Sequence, residues 1–346
     1  MRSKLIIAIL VAALLLAGGY AAWWFYSARL LRAEIEAWIA DQRAQGATAE
    51  YRALDVDGFP FWTAVTVRDG AMAFPNGIAW RGPELEARTR PWNWTTILFE
   101  AGGAHRLTLP VAQPNASLSI TTQAGAGELQ LTFGGQPTGA RGALHQVSIA
   151  PAADATPATA LTVGLIEFAA NRPTTPPRDY RDPGLTVSSS VQQIRLPESV
   201  KAPLGQTVDR LTLAGSVMGP LPIPVGRESL ASWREAGGLA EIKNLGLVWG
   251  PVAANIEGTL ALDKQLQPQG ALTGKIVGFI QAIDALVATG QLRGHAANLA
   301  KAAMGLLARK ETPDGPPVLT TPITIQDRTL FLGPVKLVQI PVIDWP

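Results

Sequence analysis

The sequence contains no cysteine and little charge. Without cysteine, the chain cannot form disulfides, zinc–thiolate sites or a thiol nucleophile, and it has no residue on which a lipoprotein anchor could be acylated. Charged residues make up only 16% of the chain, against about a quarter in ordinary soluble domains. The 29 basic and 27 acidic residues are spread without blocks, so the chain offers no basic face to nucleic acid.

Recognisable catalytic and cofactor patterns are missing as well. The three histidines, His105, His145 and His295, stand alone without metal-ligand spacing, and each is interpreted as a surface or satisfied histidine. The chain has no Walker lysine and no GxSxG nucleophile motif. Residues 125–127 begin like a dinucleotide fingerprint, but Gln130 replaces its third glycine, so we interpret the stretch as a loop. The sequence therefore predicts no enzyme, no cofactor and no metal.

The chain begins with a long apolar segment. Residues 5–28 are 24 consecutive residues without charge, and a helix needs roughly 20 to cross a bilayer core. Arg2 and Lys4 precede the segment and aromatic residues 23–26 lie near its end, which places the N-terminus in the cytoplasm. We predict an uncleaved, single-pass anchor over residues 1–26 in the inner membrane, with the bulk of the chain periplasmic. A cleaved signal peptide is the alternative, because it shares the basic start and the apolar run.

An amphipathic helix is predicted directly after the anchor, over residues 27–45. It is expected to pack an apolar stripe on the following domain, and the alternative is a helix lying on lipid. The predicted stripe consists of Leu30, Leu31, Ile35, Trp38 and Ile39.

The rest of the chain predicts an α+β fold dominated by antiparallel sheet. Short alternating runs separated by Gly and Pro predict two β-rich parts, residues 46–182 and 183–346. Asp69-Gly70 and Asp327-Arg328 are predicted to be hairpin turns. Further helices are predicted near 227–236, 279–289 and 292–308. The last two are expected to form a hairpin packed on a large curved sheet or sandwich.

A short aromatic motif, Gly58-Phe59-Pro60-Phe61, follows the predicted anchor and helix. It resembles the start of several bacterial single-span envelope proteins, and most closely the uncharacterised family called domain of unknown function 2125. Residues 258–272 and 332–334 agree with that resemblance, which implies no established activity. A looser likeness is to AsmA-like envelope proteins, which implies lipid handling between membranes.

The candidate contact residues are aromatic. Residues 58–61 predict a turn into a strand whose aromatics anchor the first hairpin in the core, and the alternative is a ligand contact. Tryptophans between residues 80 and 94 are expected in packing or, alternatively, in an exposed site for glycan or lipid. The candidates are Phe59, Phe61, Trp62, Trp80, Trp92 and Trp94.

Together these features suggest a non-enzymatic protein of the bacterial envelope. The leading hypothesis is an apolar groove that binds or passes lipid-like ligands in envelope maintenance. The alternative is a scaffold or assembly subunit that binds another envelope protein through a sheet edge or the region near 80–94. A sandwich that buries its apolar faces and a groove that leaves one open show the same alternation, so the sequence leaves both possible.

Overall fold

The computed structural model describes residues 2–111, 116–153, 156, 158–221, 224–310, 315–333 and 335–345. Every strand register described within these residues is antiparallel, which confirms the predicted fold class. The helices are α1 (Arg2–Ala44), α2 (Arg227–Glu235), α3 (Phe279–Ala288) and α4 (Gly294–Leu307). The strands are β1 (Thr48–Glu50), β2 (Ala53–Asp57), β3 (Thr63–Ala73), β4 (Ala79–Arg90), β5 (Asn93–Pro110), β6 (Ser117–Leu131), β7 (Pro137–Pro151), β8 (Leu161–Asn171), β9 (Pro183–Arg195), β10 (Thr207–Met218), β11 (Ala240–Trp249), β12 (Val252–Leu262), β13 (Pro268–Val277), β14 (Arg309–Lys310), β15 (Pro317–Gln326), β16 (Thr329–Leu332) and β17 (Val335–Gln339).

The first helix is continuous over 43 residues and joins the predicted anchor to the predicted amphipathic helix. Its first half is rich in Leu, Ile and Ala, and these side chains are exposed along the described part of the apolar run. From Trp24 onward one stripe turns towards β1 and β2, because side chains three and four residues apart share a helix face. The sheltered members of that stripe are Trp24, Ala28, Leu31, Ile35 and Ile39. Leu30 and Trp38, which were predicted in it, lie beside the stripe and are exposed.

The first compact unit contains Met1–Gln136 and Ile149–Asp154. Its central strand, β3, pairs on one edge with both β1 and β2, and on the other edge with β4, which is followed by β5 and β6. The predicted turn at Asp69-Gly70 is wrong. Asp69 has a positive φ of 50°, yet β3 continues through it because the residues on either side of it are paired with neighbouring strands.

The glycine-rich stretch at residues 125–127 is also a strand, so its interpretation as a loop is wrong. Gly125 pairs with Ala101 and Gly127 pairs with Phe99 inside β6. The glycine opposite Phe99 has no side chain, which leaves room for the ring on that face of the sheet. Two strands that were predicted separately, near 116–121 and 128–133, are therefore one.

The second compact unit contains Pro137–Ser148 and Ala155–Pro346. From β8 to β13 its strands pair in chain order, and β15, β16 and β17 follow β13, so the described registers give an open antiparallel sheet. The three predicted helices are confirmed at α2, α3 and α4, and α4 contacts β15. The hairpin at Asp327-Arg328 is confirmed, with φ values of 49° and 57° that suit a tight two-residue turn. The proline-rich residues 172–182 connect β8 to β9 inside this unit.

Candidate functional site

The sheet of the second unit presents apolar side chains on one face. Residues directly opposite each other on antiparallel strands point to the same face, so the registers define rows across the sheet. One row is Ile166, Val191, Leu211, Leu247, Ala254, Ile276 and Leu319. The next row is Phe168, Ser189, Leu213, Leu245, Ile256, Gly274 and Thr321. A third row is Leu185, Val217, Ala240, Leu260, Gly270, Ile325 and Leu330. We call the surface formed by these rows the apolar face of the second unit.

The opposite face of the same sheet carries a polar row. Its row next to the first apolar row is Glu167, Ser190, Thr212, Gly246, Asn255, Lys275 and Thr320. The contrast follows from the period of two in a strand, which sends consecutive side chains to opposite faces.

The apolar face is only partly covered. Along β12, Ile256 and Leu260 are half-buried, whereas Glu257 on the polar face is exposed. Full burial on the apolar face is seen at Leu319 and Ile323, on the strand that α4 contacts. This confirms the predicted helical hairpin on the sheet. Gly274 is buried too. The other members named above stay half-buried or exposed, and Phe168 is 43% exposed.

The first unit repeats the division of faces on a smaller scale. Its apolar rows are Leu54, Val67, Leu85, Ala101 and Gly125, and Val56, Val65, Ala87, Phe99 and Gly127. Its opposite face carries ion pairs. Arg68 bridges Asp55 and Glu84, and Arg88 lies 3.3 Å from Glu86. Glu84 and Glu86 therefore pair with arginines rather than with each other.

The turn at residues 58–62 packs on α1 and not in a sheet core. The Tyr20 hydroxyl donates a hydrogen bond to the Pro60 carbonyl, and the Trp24 indole N–H donates one to the Trp62 carbonyl at 3.0 Å. The Phe59 ring lies 5.6 Å from Trp24. The prediction that these aromatics anchor the first hairpin in the core is wrong, because the turn meets the helix. Phe61 is 65% exposed.

Five of the six candidate residues gather at the end of the first sheet that lies beside α1. Thr63, Thr89 and Ile97 share one row, so the turn at 58–62 and the β4–β5 turn lie at the same end. Trp92 is exposed there, and the Trp94 ring lies 5.8 Å from Phe133, which is 84% exposed. We call this group the aromatic end. It consists of Phe59, Phe61, Trp62, Trp92, Trp94 and Phe133.

Two arginines accompany the aromatic end. The guanidinium groups of Arg88 and Arg90 lie 5.4 Å and 5.0 Å from the centre of the Trp62 ring. Both distances allow cation–π attraction, which is strongest for tryptophan. The rings and cations together suit a headgroup region, where aromatic bodies meet lipid and charges meet phosphate.

Trp80 is not part of this group. It lies at the other end of β4, roughly 40 Å from Trp92 along the chain at about 3.3 Å per residue. Its ring stacks on His105 with centroids 5.9 Å apart. His105 is buried and its Nε2 lies 3.3 Å from the Gly102 carbonyl, so it is a satisfied histidine as predicted.

Beside β2, the polar side of α1 carries an ion pair. Arg32 donates to Glu36 at 2.9 Å, and this hydrogen bond together with the charge of Glu36 raises the pKa of Arg32 above its ordinary value. Asp55 on β2 acts in the same direction.

A protein-family model described as an uncharacterized protein conserved in bacteria (DUF2125) matches residues 24–341. The chain belongs to the DUF2125 family. No curated protein and no solved structure matches this DUF2125 protein. The looser likeness to AsmA-like envelope proteins stays a prediction, and Pro334 of the closing motif lies outside the described residues.

In the same DUF2125 protein, Ser3–Ala44 is the candidate membrane span among the described residues, with a mean hydropathy of 2.5 over its most apolar window. Throughout the described part of the chain, no cluster of three or more His, Cys, Asp or Glu could hold a metal. Sequence reasoning named five of the six residues of the aromatic end, but not that they gather, and it located the long apolar helix at the N-terminus. It missed the apolar faces as surfaces, because alternation along one strand does not reveal which strand lies beside it.

Proposed function

We propose that this protein is a non-catalytic, membrane-anchored component of the bacterial envelope whose sheet binds or passes lipid-like ligands. The observation that carries the proposal is the apolar face of the second unit, whose rows cross seven strands while most of their side chains stay half-buried. Water contact with such a surface is unfavourable by about 25 cal/mol for each Å² of apolar area. A hydrocarbon chain lying on it would remove that contact.

The anchor and the aromatic end support a membrane setting for this activity. The N-terminal charges Arg2 and Lys4 favour an N-in, single-pass orientation in the inner membrane, with the sheet in the periplasm. The turn at 58–62 packs where the apolar run of α1 ends, so exposed rings such as Phe61 and Trp92 would reach headgroup level. Lipids would then meet the first sheet at its aromatic end.

A role as a scaffold for another envelope protein is the second candidate. It is favoured by the exposed Trp94–Phe133 pair, because aromatic side chains are enriched at protein interfaces. A single protein recovered in equal amount with the full-length chain, and lost on Phe133→Ser, would support the scaffold role.

Native mass spectrometry of the full-length protein released from detergent tests lipid binding. We expect bound lipid masses on the wild-type chain and on Val248→Arg. We expect them to be lost on Leu247→Arg, because residues 247 and 248 point to opposite faces of β11. Thermal melting checks that both variants fold. A wild-type chain that carries no lipid, or a folded Leu247→Arg that keeps it, would contradict the proposal.

A further inference from the structure

One end of the apolar face in the second unit closes into a cavity of about 440 Å³. Its floor is part of the third apolar row and consists of Leu185, Val217, Ala240 and Leu260. Helix α2 covers this floor with Leu230 and Trp233, both buried. The cavity is therefore continuous with a surface that runs on across the sheet.

The polar atoms of the rings around the cavity are engaged elsewhere. The Trp233 indole N–H donates to the Met218 carbonyl at 2.9 Å. The Trp345 indole N–H donates to the Leu266 carbonyl at 2.7 Å. An indole has one hydrogen-bonding group, so both rings offer only carbon to a ligand.

A buried glutamine holds the C-terminal segment in place as the wall of the cavity. The Gln267 side chain donates to the Ile343 carbonyl at 3.0 Å and accepts from the Ile343 N–H at 2.8 Å. At the surface, Arg227 of α2 pairs with Asp344 at 2.8 Å. Both contacts fix Ile343 and Trp345 against the floor. The Gln267 NH2 group also donates to the Gln265 carbonyl at 3.2 Å.

We infer that this cavity takes the methyl end of one acyl chain of a membrane phospholipid. The assignment rests on the proposed function and adds the ligand class and its position. The volume lies in the range of small-ligand pockets, about 300 to 1,000 Å³. Burying a polar headgroup without partners would be costly, so the headgroup lies outside and the rest of the chain follows the apolar face.

A photoreactive phospholipid tests this assignment. The probe is phosphatidylcholine with a diazirine at the methyl end of one acyl chain, added to full-length protein in nanodiscs of phosphatidylethanolamine and phosphatidylglycerol. After irradiation, we expect adducts to concentrate on peptides that contain residues 230–233 and 343–345. Ala240→Phe fills the floor and excludes about two methylene groups, so labelling there falls at least about tenfold.

Ala271→Phe is the matched control, because Ala271 is exposed on the polar face of β13. It should leave the labelling unchanged. Thermal melting checks both variants, and Ala240→Leu replaces Ala240→Phe if the larger side chain prevents folding. Equal labelling of the cavity peptides in a folded Ala240→Phe would overturn the inference.

Two further probes distinguish a fatty acid from a phospholipid as the ligand, and failure of the cavity assignment from failure of the proposed function. Labelling of the cavity by diazirine-tagged palmitic acid alone, and not by the phospholipid, would overturn the choice of a phospholipid chain. A phospholipid with a diazirine at mid-chain should label the peptide containing Phe168. If it does so while the methyl-end probe misses the cavity, the cavity assignment fails and the proposed function stands. If neither probe labels the second unit, both fail.

Discussion

Gln267 illustrates how one buried polar side chain can fix a distant segment. Its amide exchanges two hydrogen bonds with the backbone of Ile343, 76 residues away in the sequence. Nothing in the local pattern around Gln267 predicts this role, because the sequence shows only a polar turn after β12. The Gln267 side chain is buried, and Ile343 lies outside the strands. The side-chain amide of Gln267 therefore takes the place of a neighbouring strand as the partner of the Ile343 backbone.

We expect Gln267→Ala to destabilise the second unit by about 1–3 kcal/mol, because it leaves the Ile343 N–H and carbonyl without partners. Chemical denaturation followed by tryptophan fluorescence measures the change in free energy of unfolding. Gln269→Ala is the matched control, since Gln269, two residues after Gln267, is exposed at the start of β13. Equal stability of the two variants would show that Gln267 does not hold the C-terminal segment.

At the scale of the element, strands were predictable and their partners were not. Alternation located most strands of both units, but local turn signals failed at Asp69 and at residues 125–127. In both places, pairing of the flanking residues with the neighbouring strands kept the chain within one strand. The aromatic turn at 58–62 was predicted as a turn. Its contact with α1 was not predicted, because no sequence pattern links Phe59 to Trp24.

The contact between α1 and the aromatic end makes a prediction about depth in the membrane. The natural chain has no cysteine, so single cysteines can be labelled with an environment-sensitive fluorophore. In lipid nanodiscs, we expect the fluorophore on Phe61→Cys to emit at shorter wavelength than the free fluorophore does in buffer, because the proposed orientation puts Phe61 at headgroup level.

Arg81→Cys, exposed near Trp80 at the other end of β4, is the comparison site. Its fluorophore should emit as it does in water. The same emission from both positions would mean that the aromatic end does not face the membrane.

At the scale of the whole molecule, each unit presents an apolar face on one side of its sheet and polar rows on the other. The sequence could not distinguish an open face from a closed sandwich, because both need the same alternation. Long-range registers define the apolar face, as in the row that joins Leu185, Val217, Ala240 and Leu260. The half-buried state of these side chains shows that the face is open. The cavity at its end depends on α2 and on Trp345, which come from separate parts of the chain.

Site-specific photocrosslinking in living cells tests the central claim most directly. Two phenylalanines suit replacement by p-benzoylphenylalanine, a close structural relative. Phe168 lies on the apolar face of the second unit, whereas Phe331, opposite Thr324, lies on the polar face. With the full-length chain in its membrane and lipids labelled by radioactive phosphate, we predict a labelled adduct at position 168 and none at position 331. No adduct at 168, or equal adducts at both positions, would contradict lipid binding on the apolar face.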